Sequence, residues 1–206
     1  MRRHEAARQR MKHIAAIILA AGSSRRMGAN KLLLSADGQP MVRRAALLCQ
    51  AAGLSPIIAV LGHAAAQVEQ ALAGLQVEYV LNENHATGMA SSLTTGLAAL
   101  PAQTQAALIC LPDMPRVTPG DIANLCAAFA PGQGRAICIP THAGRRGNPV
   151  LLGAQIFPAL AGLSGDQGAK PIIQQHAHLV AEIPCGPGVL QDIDTPEAYA
   201  AYLRIS

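Results

Sequence analysis

The chain has 206 residues, of which 50% are hydrophobic, 14% charged and only 2% aromatic. That is ample apolar material for a core and excludes a disordered chain. With no tryptophan, three tyrosines and two phenylalanines, it lacks the aromatic platforms on which bases stack in single-stranded nucleic-acid binders. The formal charge of +4 is local: residues 1–13 hold Arg2, Arg3, Arg8, Arg10 and Lys12 against Glu5, and the rest of the chain balances eleven bases with eleven acids. A neutral body argues against a nucleic-acid partner. Five scattered cysteines (Cys49, Cys110, Cys126, Cys138 and Cys185) contain no C-x-x-C pair, which disfavours a metal cluster or disulfide framework and points to a reduced, cytoplasmic setting. The strongest apolar run, Ile14–Ala21, has eight residues, far short of the roughly 20 that span a membrane. Residues 1–13 are therefore expected to be a basic N-terminal extension, with Met11 as an alternative start, and residues 14–206 a single domain.

In chain order, Ile14–Leu19 reads as a buried strand leading into a glycine loop. Met41–Ala52 reads as a helix stopped by Gly53, Pro56–Leu61 as a second buried strand, and Ala64–Ala73 as a helix ending at Gly74. Val77–Leu81 is strand-like, Met89–Leu100 helical up to Pro101, and Ala106–Leu111 another buried strand. Thr118 and Pro119 form an N-cap with proline in the first turn, opening a helix to about Phe129. Repeated strand–helix–strand units predict an α/β fold, a mostly parallel sheet with helices on both faces. After residue 131, the strands Ala136–Pro140 and Pro149–Leu152 are joined by a loop holding Gly144, Arg145, Arg146, Gly147 and Asn148, which predicts a small hairpin insertion. Helical stretches at Ala154–Ala161 and Ala169–His176, a strand at Leu179–Ile183 and a last helix from Thr195 to about Leu203 complete the pattern.

In such sheets ligands bind outside the carboxyl ends of the strands. The loop Leu19–Lys31 leaves the first strand with Gly22, Gly28, Ser23, Ser24, Arg25, Arg26 and Lys31. Its glycines let backbone N–H groups approach a polyanion, and its cations neutralise one. Neither common phosphate signature fits: there is no Gly-x-Gly, and Lys31 lies three residues beyond Gly28. Asp113, in Leu111-Pro-Asp-Met-Pro115, follows a buried strand in a proline-stiffened segment and suits Mg2+, which one or two carboxylates hold together with substrate phosphates. Asp192 and Asp194 lie two apart in an extended stretch; either is a candidate second metal ligand, and Asp194 or Thr195 is also a candidate cap. Gly88, Ser91 and Ser92 open a helix whose N–H groups and hydroxyls can bond a base or phosphate, or simply cap it. His63, His85 and His142 read as loop residues.

Together these segments resemble the molybdenum-cofactor nucleotidyltransferases, MobA-like enzymes of a Rossmann-like three-layer fold. The resemblance covers about residues 14–203. The first loop is similar to the family's L-A-[AG]-G-x-S-x-R-[MF]-G-x-x-K signature, which implies that Leu19, Ala20, Ala21, Gly22, Ser23, Arg26, Gly28 and Lys31 contact the nucleotide. Leu111–Pro115 resembles the metal-aspartate segment and Asp192–Glu197 the terminal D-I-D-T-P motif. Ala20-Ala21-Gly22, Gly88–Leu97, Arg146–Leu151 and Gly165–Ala169 are similar to the cytidylyltransferase (MocA-like) branch. Asn148 and Lys170 stand where many relatives carry histidine and arginine.

The resemblance implies CMP transfer from CTP to the terminal phosphate of Mo-molybdopterin, with release of pyrophosphate. Arg26, Lys31 and Asp113 would be catalytic, and Asp113 with Asp192 or Asp194 would hold Mg2+. Ala21, Ser91 and Ser92 would meet base and ribose, and Arg145, Arg146 and Asn148 the acceptor. A molybdenum hydroxylase or its maturation factor would be the downstream partner. The alternatives are a guanylyltransferase and a non-catalytic cofactor carrier on the same fold.

Overall fold

The computed structural model describes residues 13–23, 27, 30–166 and 168–204. Residues 1–12, Arg25, Arg26 and Gly28 lie outside the described residues, so the expectations for the N-terminal extension and for these loop positions go no further here.

The first strand, β1 (Ile14–Ala20), shows why the sheet must be covered on both sides. Successive side chains point to opposite faces, yet nearly every one of them is buried. Ile14, Ala16, Ile18 and Ala20 join one core cluster, and Ile17 joins another. The same holds for β4 (Ile57–Leu61) and β6 (Ala106–Cys110), whose residues are all buried. The sheet order is β10-β7-β9-β6-β1-β4-β5, with β5 (Glu78–Leu81), β7 (Ile137–His142), β9 (Val150–Gly153) and β10 (Val180–Pro184) completing it. β1 pairs in parallel with both β4 and β6, so that Ile17 lies opposite Ile58 on one side and Ile109 on the other.

Among the described residues there are seven α-helices, three of them packed on each face of the sheet. α1 (Met41–Ala51), α2 (Ala65–Leu72) and α4 (Pro119–Ala128) contribute Val42, Val68 and Ile122 to the first cluster. α3 (Met89–Ala98), α5 (Phe157–Leu160) and α6 (Lys170–Gln175) contribute Leu93, Leu160 and Ile172 to the second. α3 presses so close to the sheet that a Cβ at Gly96 would lie 2.5 Å from Ile17 Cγ2. A glycine inside this helix is a packing requirement that outweighs its poor helix propensity.

The predicted hairpin is present, as Thr141 and His142 pair with Arg146 and Arg145 of β8 (Arg145–Arg146). Its return strand is more than an appendage. β9 enters the main sheet antiparallel between β6 and β7, which keeps β7 and β10 aligned with the parallel strands. His142 is the last residue of β7 and not a loop residue; its Nδ1 lies 3.0 Å from the Cys185 carbonyl oxygen.

A second, unanticipated hairpin joins β2 (Ser35–Ala36) to β3 (Gln39–Pro40) through Asp37 and Gly38, both at positive φ, the Asp-Gly turn that suits a tight hairpin. The last helix, α7 (Pro196–Leu203), holds it in place: Tyr199 Oη donates to Ser35 O at 2.9 Å and Tyr202 Oη to Asp37 Oδ1 at 3.0 Å. Ala36, Met41, Ile193 and Tyr202 form a small third core beneath.

Candidate active site

The parallel strands place the segments after β1, β4, β5 and β6 on one edge of the sheet. After β1, Asn30 accepts a hydrogen bond from Leu32 N at 3.1 Å and so caps a 3-10 turn over Lys31–Leu33, whose Leu32 is buried. This turn fixes the root of Lys31. Its ammonium lies 2.5 Å from Asp113 Oδ2 and 2.5 Å from Asp194 Oδ1, so three separate segments of chain meet at one cation.

Asp113 is delivered by the segment after β6, and Asp194 by a backbone tie, because Ile193 N donates to Asp113 O at 2.9 Å. The alternation of an extended chain turns both terminal carboxylates away from Ile193, and their positions along the chain separate them. Ile193 is buried, Asp194 reaches Lys31, and Asp192 is exposed.

Among the described residues the cluster carries an excess of negative charge. Burial pushes the Asp113 carboxyl above its usual range; Lys31 pulls it back, while Asp194 and Asp192 push it further up. Burial alone would lower the Lys31 pKa, but Asp113 and Asp194 outweigh that and hold it above 10.5. One ammonium among three carboxylates leaves room for a further cation. Asp113 Oδ1 is buried and has no hydrogen-bond partner, the kind of orphaned acceptor that a metal ion satisfies. Among the described residues no group of three or more His, Cys, Asp or Glu could hold a metal. The donor set therefore fits Mg2+, which one or two carboxylates share with substrate phosphates, better than a cation needing an all-protein cage.

A cavity of about 930 Å³ opens over this cluster. Of the residues singled out from the sequence, Leu19, Ala21, Gly22, Ser23, Lys31, Gly88, Ser92, Asp113 and Asp194 line it. Ala20 is fully buried beneath. Ser91, Asp192, Arg145, Arg146 and Asn148 are not in its lining. The Ser91 hydroxyl is turned to the backbone, 2.8 Å from Gly88 O. Arg145 and Arg146 lie exposed on β8, where the Arg146 guanidinium pairs with Glu182 at 2.8 Å. Asn148 N donates to Val189 O at 2.9 Å.

The sequence reading missed His63, His85, Met89 and Asp166, all of which line the cavity. His63 and His85 face each other edge-on, with ring centroids 6.3 Å apart. Each follows the carboxyl end of a strand, β4 or β5, so the strand-end rule that singled out Asp113 would have found them too. Asp166 arrives from the segment before α6, and its Oδ1 accepts from Met89 N at 3.3 Å across the start of α3.

A smaller cavity of about 360 Å³ lies behind the same post-β6 segment, lined by Arg44, Cys110, Met114 and Pro115 among others, and contains none of the expected site residues. Burial pushes the Cys126 thiol up to about 12 and the Cys138 and Cys185 thiols up to about 11. These thiols stay protonated near neutral pH and are poor nucleophiles. Among the described residues no helix is long and apolar enough to cross a membrane.

Comparisons with known proteins agree with this architecture. The chain is 32% identical over 192 residues to the nicotine blue oxidoreductase of Paenarthrobacter nicotinovorans, covering 89% of this chain and 93% of that protein. It is 28% identical to the purine catabolism protein PucB of Bacillus subtilis, covering 92% and 96% of the two chains. The crystal structure of Rv0371c from Mycobacterium tuberculosis superposes with a TM-score of 0.83 at 28% identity, covering 94% of this chain and 99% of that one. A structure of the same mycobacterial protein in complex with manganese gives 0.77 at 26% identity, covering 94% and 98%. The family model described as the MobA-like NTP transferase domain matches residues 16–180, so the chain that gathers Lys31, Asp113 and Asp194 at one sheet edge belongs to the MobA-like nucleotidyltransferases.

Proposed function

We propose that the protein is a Mg2+-dependent cytidylyltransferase that transfers CMP from CTP to the terminal phosphate of Mo-molybdopterin and releases pyrophosphate. The observation that carries this reading is the Lys31 ammonium held between Asp113 and Asp194 at the mouth of the cavity. The choice of cytosine and of the molybdenum cofactor rests on the resemblance of Ala20–Gly22, Gly88–Leu97 and Gly165–Ala169 to the MocA-like branch.

In the proposed step, an oxygen of the acceptor phosphate forms a bond to the α-phosphorus of CTP, and the bond from that phosphorus to the β-phosphate oxygen breaks. A phosphate monoester is largely dianionic near neutral pH, so the nucleophile needs no general base. The site's task is alignment and charge stabilisation. Lys31, kept cationic by its two carboxylates, faces the triphosphate and the departing pyrophosphate. Gly22 and Ser23 leave the chain open for phosphate and ribose at the end of β1. Asp113 and Asp194 would hold the divalent ion, whose contribution when bound is to neutralise phosphate charge. The manganese complex of the mycobacterial relative supports a divalent ion in this fold. Arg145, Arg146 and Asn148, which lie outside the cavity lining, remain the proposed acceptor contacts, and the proposed recipient is a molybdenum hydroxylase or its maturation factor. Five free cysteines are in keeping with a reduced, cytoplasmic setting.

A second reading, an oxidoreductase, is favoured by the name of the 32%-identical relative. It gains nothing from the first loop, which lacks the Gly-x-Gly of dinucleotide sites. The test is pyrophosphate release from each of the four NTPs, with and without molybdenum cofactor, and with Mg2+ or a chelator. CTP with cofactor and Mg2+ is expected to give turnover, and the chelator to abolish it. No release from any NTP, together with NAD(P)H oxidation or a bound chromophore, would establish the oxidoreductase instead.

A further inference from the structure

The segment Leu111–Pro115 carries Asp113 into the site, yet it has little with which to hold itself. Pro112 and Pro115 have no backbone N–H to give, and the segment is tied down through its carbonyl oxygens. Three in succession accept hydrogen bonds: Asp113 O from Ile193 N at 2.9 Å, Met114 O from Val117 N at 3.3 Å, and Pro115 O from Arg44 Nε at 2.8 Å. Among the described residues only the last of these donors is a side chain. The smaller cavity lies on this side of the segment and is lined by Arg44, Met114 and Pro115, so the Arg44 bond spans a gap that packing leaves open.

Arg44, on α1, is itself held from outside. Its Nη1 lies 2.6 Å from Asp37 Oδ2 in the turn of the β2–β3 hairpin, and Tyr202 Oη donates to Asp37 Oδ1 at 3.0 Å. The guanidinium of Arg116, the residue after Pro115, lies over the Tyr202 ring, 5.1 Å from its centroid. The contacts close a circuit from Pro115 through Arg44, Asp37, Tyr202 and Arg116 back to Pro115. The Arg44 and Asp37 side chains are 35% and 45% exposed, so their pairing adds little to stability. What it supplies is direction: the guanidinium donors form a rigid planar fork, and fixing one at Asp37 aims another at Pro115 O.

We propose that Arg44 is a positioning residue: through Pro115 O it sets where Asp113 stands, and with that the affinity of the Asp113–Asp194 pair for a divalent ion. The effect on the ion rests on the metal reading of Asp113 above; the bond from Arg44 to Pro115 O does not. Without that bond Ile193 still holds Asp113 O, but the far end of the segment is free to shift. The carboxylate then stands on one external tie instead of two, and an arriving ion has to order the segment as it binds. Groups that orient a metal ligand in this way change metal affinity roughly 10–100-fold when removed.

The experiment compares the intact protein with Arg44→Met and Arg43→Met. Arg43, the preceding residue on α1, also donates to backbone oxygens, those of Ala71 and Ala73 at 3.0 and 2.9 Å, but these lie at the end of α2 and not in the site. Three quantities are measured: Mn2+ binding without nucleotide by electron paramagnetic resonance, amide hydrogen exchange across residues 111–117, and pyrophosphate release as a function of Mg2+. Arg44→Met is expected to bind Mn2+ about tenfold more weakly and to exchange faster across residues 111–117. It should need more Mg2+ for half-maximal release, with kcat retained once Mg2+ saturates. Arg43→Met should match the wild type in all three. Arg44→Lys, whose ammonium is a single point donor, takes the place of Arg44→Met should the latter not fold. Unchanged exchange in the folded variant overturns the proposal, as does faster exchange with wild-type Mn2+ affinity, or an equal loss of affinity in Arg43→Met. The first two measurements need no nucleotide, so failure of the CTP reading shows only in the third. Should the wild type bind no Mn2+, the metal reading fails separately and Arg44 is judged on exchange alone: faster exchange retains it as the support of the Asp113 segment, and unchanged exchange removes it.

Discussion

The backbone amide of Ile193 donates to the carbonyl oxygen of Asp113 at 2.9 Å, and through this bond the end of the chain completes a site begun by its first strand. The Ile193 side chain is 3% exposed and packs with Ala36, Met41 and Tyr202, so the tie is anchored from below. Ile193→Ala is expected to cost about 2–5 kcal/mol of stability, the usual range for truncating a buried isoleucine, and to raise the KM for the nucleotide because Asp194 loses its anchor. Urea unfolding and steady-state kinetics measure the two effects. Unchanged KM in a destabilised protein would show that Asp194 is placed by other contacts.

Lys31→Ala and Asp113→Ala are each expected to reduce pyrophosphate release at least about a hundredfold, the scale of losing one electrostatic stabiliser. Asp194→Ala should cost more than Asp192→Ala, since only Asp194 reaches Lys31 and lines the cavity. Equal losses in these two variants would place Asp192 in the site as well. Near-normal turnover in Lys31→Ala would remove the ammonium from the mechanism.

Strand-and-helix order was legible because every central strand is apolar at successive positions and every crossover helix has a glycine, a proline or a cap near one end. Asp113 was legible because a charged residue close after a buried strand stands at the sheet edge where ligands bind, and Lys31 because it ends the glycine loop that leaves such a strand. What the sequence left open was set by long-range contacts that no local pattern encodes. The insertion of β9 between β6 and β7 depends on pairing Leu108 with Leu151 and Cys138 with Leu151. The choice of Asp194 over Asp192 depends on where along its length the terminal segment is held, by the Ile193 tie to Asp113 and by a core assembled from the β2–β3 hairpin and α7. Ser91 and Ser92 are neighbours of the same residue type, distinguished by helical phase: the Ser91 hydroxyl turns back to Gly88 O and Ser92 lines the cavity.

Asp121 gives a pH dependence that belongs to the fold and not to the reaction. Its carboxylate accepts from Thr118 N at 2.9 Å, Thr118 Oγ1 at 2.7 Å and Gly186 N at 3.0 Å, closing the cap of α4 onto the segment after β10. Burial alone would raise its pKa, but these bonds outweigh burial and hold it below 3.8. A carboxyl whose folded pKa is depressed adds stability that is present in full above the unfolded value and lost as pH falls through the folded one. Stability should therefore decline on the acid side below about pH 4, and Asp121→Asn should be less stable at neutral pH with a flatter acid limb. Denaturant midpoints across that range measure it, and parallel acid limbs in the two proteins would contradict the assignment.

Gly88 sits at φ +118°, and a Cβ there would lie 2.5 Å from Gly165 C and O and 2.6 Å from Asp166 Oδ1. The same contact is stitched by Ala90 N donating to Gly165 O at 3.0 Å and Met89 N to Asp166 Oδ1 at 3.3 Å, so the segment before α6 closes one wall of the cavity against the start of α3. Gly88→Ala therefore meets two costs at once, a left-handed backbone worth about 1–3 kcal/mol and a backbone collision that only displacement of residues 165–166 relieves. Gly165→Ala, at φ +73° with nothing within 4 Å of its Cβ, meets the first cost alone. The expected result is a lower Tm for both variants, with a raised KM for the nucleotide only in Gly88→Ala. A raised KM of equal size in Gly165→Ala would mean that backbone strain, and not the close approach of the two segments, governs that wall.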